Sequence, residues 1–94
     1  MDMKKKARYG TVPNLINSNF VVGAKQLKKA VKAGSARNVY LAENADPAVT
    51  EPLARLCTEH HIPITWVSSM ADLGRACGIE VGAAAAAILN GSNG

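Results

Sequence analysis

Lys25, Lys28, Lys29 and Lys32 follow Gly23 in the stretch Val21–Gly34. At about 100° per residue they fall on one side of a helix whose other side carries Leu27, Ala30 and Val31. One face packs and the other is cationic. Backbone N–H groups at a helix start form an anion site, a glycine before them lets a ligand approach closely, and nearby lysines add charge for a phosphate. The helix dipole disfavours lysine in a first turn by about a few tenths of a kcal/mol, so cations placed there ask for a negative ligand. The competing reading is a solvated charged face that keeps the chain soluble, as most lysine faces are.

Other chemistry is weaker. Cys57, His60 and His61 are close in sequence, with Cys77 farther on, and thiolate with imidazole can hold zinc. The spacing is poor for a structural zinc site, and Cys57 falls on an apolar helix stripe where a buried thiol is expected. The chain has no phosphate loop of the Gly-x-x-x-x-Gly-Lys type, no Ser-His-Asp grouping and no pair of inward carboxylates. Glu80 alone is thin evidence for a general acid. Phe20, Tyr40 and Trp66 lie in apolar strand-like runs, where core packing is expected over base stacking. No cofactor and no metal are expected.

The 94 residues, 48% hydrophobic, are enough for one core and too few for two. The apolar stretch Val81–Leu89 is far shorter than a membrane span. The basic start, Met1–Arg8, is not followed by a signal-type apolar core before Pro13 and Asn14, so export is not expected. Both cysteines are then thiols in a reducing compartment, and the expected location is the cytoplasm. Residues 1–37 hold nine Lys/Arg against Asp2, a balance of +8, while residues 38–94 hold Arg55 and Arg75 against six acids, a balance of −4. Their total is the net +4 of the chain. Basic charge gathered in an arm and one helix face suits a polyanion better than a small acidic metabolite.

The elements that must position these residues alternate. Phe20–Val22 is a brief strand, Gly23 hands it to the basic helix, and Gly34 ends that helix. Asn38–Glu43 reads as a strand, Asp46 as an N-cap with Pro47 at the first helical position, and a helix runs from Ala48 to about His60 with Val49, Leu53, Leu56 and Cys57 on one stripe. Ile64–Val67 is a further strand, and Ser68 or Ser69 caps a helix from Met70 to Cys77 that stops at Gly78. Strands alternating with helices predict an α/β sandwich. Local rules conflict over Ala83–Leu89: alanines favour helix, while a buried strand without room for larger side chains fits equally well. The domain organisation expected is a basic mobile arm with a short helix over 1–19, an α/β domain over 20–89 and a disordered tail over 90–94.

With the Gly23–Gly34 helix and the stretch Leu73-Gly-Arg-Ala-Cys-Gly-Ile-Glu-Val-Gly-Ala-Ala84 both in view, the chain resembles the kink-turn-binding ribosomal protein family named for the archaeal large-subunit protein L-seven-Ae, its short bacterial members most of all. The resemblance spans about Val21 to Leu89, including Asp46-Pro47 and His61-Ile62-Pro63-Ile64. It implies a three-layer α/β/α sandwich with a small mixed four-stranded sheet. It further implies a non-catalytic protein that grips sharply bent RNA through the basic helix and the loop near the C-terminus, with the Glu80 loop beside Lys25. Carried over residue by residue, it places Gly23, Ala24, Lys25, Gln26 and Lys29 at the major-groove side of sheared G·A pairs and the kinked backbone. Lys28 and Lys32 add RNA contacts, Ile79, Glu80 and Val81 cover an unstacked nucleotide, and Gly82 completes that loop. Archaeal relatives typically carry Asn-Glu at Lys25-Gln26 and Thr at Ala24, so this chain lacks a carboxylate acceptor for guanine amino groups. The partners implied are kink-turn RNA, in ribosomal RNA or an mRNA leader, and the ribosome. Free in solution the chain is expected to be a monomer, without membrane contact. Two other classes stay open: a structural ribosomal constituent with non-specific RNA contacts, and a small α/β enzyme domain that holds a nucleotide phosphate at the Gly23 helix start.

Overall fold

A computed structural model describes residues 19–90. The expected arm and short helix fall outside the described residues as far as Ser18, as does the tail from Gly91. The elements run β1 (Phe20–Val22), α1 (Ala24–Lys32), β2 (Ala36–Ala42), α2 (Pro47–Glu59), β3 (Ile64–Val67), α3 (Met70–Ala76) and β4 (Ala85–Leu89). The strands form one mixed sheet in the order β1-β4-β2-β3, with β4 antiparallel to both of its neighbours and β2 parallel to β3.

Strand alternation divides the core into two layers. Val39 and Leu41 of β2 and Ala85 and Ala87 of β4 meet Leu27, Ala30 and Val31 of α1 and Leu53 and Cys57 of α2 on one face. Tyr40, Val67 and Ala86 meet Leu73 and Cys77 on the other, under α3. The fold is the three-layer α/β/α sandwich. Its two thiols are buried on opposite faces of the sheet and are not bonded to each other. Burial raises the pKa of both, so each stays a neutral thiol.

β4 settles the segment that local propensity leaves open. Ala85, Ala86 and Ala87 have no solvent exposure, and the strand is paired along both edges. A helix there would leave β1 and β2 without a common neighbour. Tertiary pairing outweighs alanine's helix preference, which amounts to a fraction of about 1 kcal/mol per residue.

Two details depart from the sequence expectation. In α2 the buried residues are Thr50, Leu53 and Cys57, while Val49 is 36% exposed and Leu56 only half-buried. The packed face is therefore rotated toward Thr50, which is buried at 4% exposure. β2 begins at Ala36 instead of Asn38, with an irregularity in the pairing at Arg37, and Glu43 lies just beyond its end. A bulge of this kind inserts one unpaired residue and has no compositional signature. Pro52 lies inside α2 on the exposed side, where water can serve the carbonyl that its missing N–H leaves unbonded.

The helix ends follow the expected chemistry. Asp46 accepts a hydrogen bond from the Ala48 N–H at 3.0 Å, with Pro47 in the first turn. Ser69, not Ser68, caps α3 by accepting from the Asp72 N–H at 3.1 Å. All three helices close with paired bonds to the carbonyls of their last turn. In α2 the His61 N–H donates to Thr58 at 3.2 Å and the Ile62 N–H to Cys57 at 2.8 Å. At the corresponding residue Gly34 and Gly78 take a positive φ without penalty, but His61 does so at φ 59° with a Cβ. Replacing it should relieve strain: His61→Gly is expected to raise the unfolding free energy in urea by up to about 1 kcal/mol, whereas His61→Ala, which keeps the Cβ, brings no gain.

Candidate nucleic-acid interface

β1, β2 and β3 end, and β4 begins, on the same edge of the sheet. Val22 pairs with Ala86, Leu41 pairs with Ala85, and β3 runs parallel to β2. The connections at Gly23, at 43–46, at 68–69 and at 77–84 therefore gather there. Backbone hydrogen bonds tie them to the sheet and to one another. The Gly23 N–H donates to Ala85 at 2.9 Å, the Ala42 N–H to Ala84 at 2.9 Å, and the Glu43 N–H to Val67 at 2.7 Å.

Gly23 caps α1 at φ 101° and ψ 152°, a backbone region open almost solely to glycine. Nothing lies within 4 Å of where its Cβ would stand, so the requirement is conformational and not spatial. The first turn has no side-chain cap and no acidic residue. The N–H groups of Ala24, Lys25 and Gln26 thus begin the helix without an intrahelical acceptor. Lys25, Gln26, Lys28, Lys29 and Lys32 are exposed, and Ala24 is half-buried against the core. Lys29 and Lys32 belong to the last turn, where the dipole favours cations. The case for an anion at the helix start accordingly rests on Lys25 and the bare N–H groups. Lys28, Lys29 and Lys32 extend the same charged stripe, with Lys32 about 10 Å along the axis from Lys25 at about 1.5 Å per residue. Among the described residues no α1 lysine joins an ion pair; the pair formed is the exposed one between Arg75 and Asp72, at 3.2 Å.

The second part of the site is the loop after α3. Gly78 turns the chain, the Ile79 N–H donates to the Gly74 carbonyl at 3.0 Å, and the Ala83 N–H donates to the Met70 carbonyl at 3.0 Å. Between these anchors the loop backbone lies directly on α3. A Cβ on Gly74 would collide with the Val81 carbonyl oxygen, and one on Gly82 would come within 3.0 Å of the Met70 Cβ. The backbone is held while the side chains point out: Val81 is 70% exposed and Ile79 37%, with Glu80 exposed between them. Branched apolar groups on a fixed loop offer a surface on which a base can rest.

The Gly23–Ala85 bond thus sets the start of α1, with Ala24, Lys25 and Gln26, against the exit of the loop that carries Ile79, Glu80, Val81 and Gly82. The zinc candidates do not converge: Cys57 is buried in the core, and no cluster able to hold a metal occurs among the described residues. Gly74 and Met70, on which the loop backbone rests, and Asn44, which accepts from the Met70 N–H, were not among the residues expected at the site. An isolated glycine inside a helical run was the available signal for Gly74, since it is usually kept for packing or function.

Comparison with known proteins gives the family. Residues 7–93 match the model of the ribosomal protein L7Ae/L30e/S12e/Gadd45 family. The chain belongs to this family. It is 46% identical over 71 residues to an RNA-binding protein of Bacillus pumilus, covering 76% of this chain and 87% of that one. It is 48% identical over 69 residues to an RNA-binding protein of Geobacillus stearothermophilus, covering 73% and 84%. Among solved structures it is similar to a 15.5 kD RNA-binding protein of Giardia lamblia, with a TM-score of 0.73 and 31% identity, covering 78% of this chain and 62% of that longer one. In this family member, the contact between Gly74 and Val81 inverts a general rule. Gly→Ala at an exposed helical position stabilises by about 1 kcal/mol, but Gly74→Ala is expected to destabilise by about 1–3 kcal/mol through overpacking. Denaturant titration, with amide chemical-shift changes concentrated over residues 78–83, checks this.

Proposed function

We propose that this protein binds RNA and selects a sharply bent form of it, a helix–internal loop–helix of the kink-turn type, without catalysing a reaction. The observation that carries the proposal is the meeting, on one sheet edge, of a donor-rich basic helix start with an exposed apolar loop. Phosphates and base acceptors suit the first, and an unstacked base suits the second. The names of the relatives support RNA as the ligand class. Lys25 and Lys29 donate to phosphates or guanine acceptors, and the Gln26 amide both donates and accepts at a base edge. Gly23 and Ala24 let the RNA backbone approach the helix start. Lys28 and Lys32 neutralise further phosphates along the flanking stem. Ile79 and Val81 support the unstacked nucleotide, with Glu80 and Gly82 shaping its edge.

A major groove in regular RNA duplex is too deep and narrow for side chains, so a helix start can read base edges only where the duplex is opened by a bend or internal loop. Binding the bent conformer better than the straight one then shifts the RNA population toward the bend. Ribosomal RNA or an mRNA leader would supply such a motif.

Two measurements test this. The logarithm of the RNA affinity should fall with the logarithm of salt by about 0.7–0.9 per phosphate contact, with Lys29→Ala reducing affinity; a flat salt response would remove the basic stripe from the site. Replacing Ile79 and Val81 together by Ser should lower kink-turn affinity by about 1 kcal/mol or more per lost base contact. The hold on a straight duplex, measured at the same salt, should persist because the lysines remain. An unchanged ratio of the two affinities in the folded double variant would reduce the protein to a non-specific RNA binder. A response of the Ala24–Gln26 amides to millimolar ATP would instead favour a nucleotide site.

A further inference from the structure

We propose that Asn44 is a positioning residue for the loop at Ile79–Gly82, acting through the backbone of Met70. The inference deepens the proposed RNA-binding function, on which it rests for its consequence but not for its mechanics. The Asn44 side-chain oxygen Oδ1 accepts a hydrogen bond from the Met70 N–H at 2.8 Å, across 26 residues of sequence. The carbonyl of the same Met70 accepts from the Ala83 N–H at 3.0 Å, and Gly82 lies against the Met70 Cβ. Met70 is the first residue of α3. One peptide segment therefore receives the β2–α2 connection on one side and the exit of the apolar loop on the other.

The loop hangs on α3 at both ends, from Gly74 at its start and from Met70 at its close. α3 is only seven residues long, and it packs on the sheet through Leu73 and Cys77. Its N-terminal turn is fixed by Ser69, which caps Asp72, and by Asn44. Ser69 belongs to the helix's own cap and would move with it. Asn44 ties the turn to a different part of the sheet. Its backbone is held by the adjoining Ala45, which is buried and donates to the Ala42 carbonyl at 3.2 Å, and Asp46 begins α2 directly after. A tilt of α3 would carry both loop anchors with it, and Asn44 resists that tilt from the end of the central strand pair.

The test uses the full chain and two substitutions. Asn44→Ala removes the acceptor, while Asn44→Asp keeps an oxygen at the same place facing a helix N-terminus, where negative charge is tolerated. Asn44→Ala should reduce the ratio of kink-turn to straight-duplex affinity, at one fixed salt, by about fivefold, the scale of one lost capping bond. It should also speed hydrogen exchange at the Ala83 amide more than at Leu41 or Ala86 in the sheet. Asn44→Asp should restore both. An Ala variant with unchanged Ala83 exchange, one in which exchange rises equally throughout the sheet, or an Asp variant that restores neither readout would overturn the proposal. Should the unsubstituted protein fail to distinguish bent from straight RNA, the functional reading falls, and Ala83 exchange alone decides whether Asn44 holds the loop.

Discussion

The whole arrangement depends on a central strand whose three buried residues are all alanine. Ala85, Ala86 and Ala87 of β4 are fully buried, so α1 and α3 can press onto the middle of the sheet from opposite faces. Leu27 and Val31 bring the larger volume from the helix side. Interiors pack at crystal-like density, and one extra methylene is felt. An alanine floor therefore sets how close the helices come, and with it how close the start of α1 lies to the loop leaving α3. β4 also supplies the bond from Gly23 to Ala85 that holds these two parts of the site against each other.

The sheet is polarised as a result. At one edge the strand ends release Gly23, 43–46, 68–69 and 77–84. At the other the chain is tied down: the Asn90 N–H donates to Ser35 at 2.7 Å and the Leu89 N–H to Asn19 at 2.8 Å. Charge is uneven among the elements as well, with α1 presenting four lysines while Glu43, Asp46, Glu51, Glu59, Asp72 and Glu80 are spread over α2, α3 and their connections. A polyanion approaching this molecule is drawn to the exposed lysine face of α1 before any short-range contact forms.

Much of this was legible in the sequence where a local rule had a mechanism behind it. Asp46 with Pro47, Gly34 and Gly78 mark helix ends through hydrogen bonds that need only neighbouring residues, and the structure has those bonds. The lysine stripe was legible because helical periodicity alone separates it from Leu27, Ala30 and Val31. What was hidden depends on distant partners. Ala85–Leu89 is a strand because β1 and β2 flank it, and alanine says nothing about flanks. Thr50 is buried in preference to Val49, which hydrophobicity cannot register for a small hydroxyl side chain. Asn44 meets Met70 across a gap in sequence that no local pattern spans.

The remaining violations of local rules are unevenly distributed, and their distribution bears on function. Lys25 sits in a first turn without an acid, Gly23 takes a conformation closed to other residues, Gly74 weakens a short helix, and Val81 leaves a branched apolar side chain in water. Each costs from about a few tenths to about 1 kcal/mol by ordinary propensity, dipole and burial scales. Gly23, Lys25 and Val81 lie where the connections gather, and Gly74 lies in α3 beneath the loop backbone. His61, the one non-glycine residue at positive φ among those described, lies at the far end of α2, and its conformation is explained by the helix termination it completes. Sequences that fold are locally consistent except where something else is gained. The cost at Gly74 is offset by the loop backbone that packs on it, while those of Lys25, the bare N–H groups and Val81 are offset by nothing among the described residues; the proposed RNA ligand would offset them with a phosphate and a base.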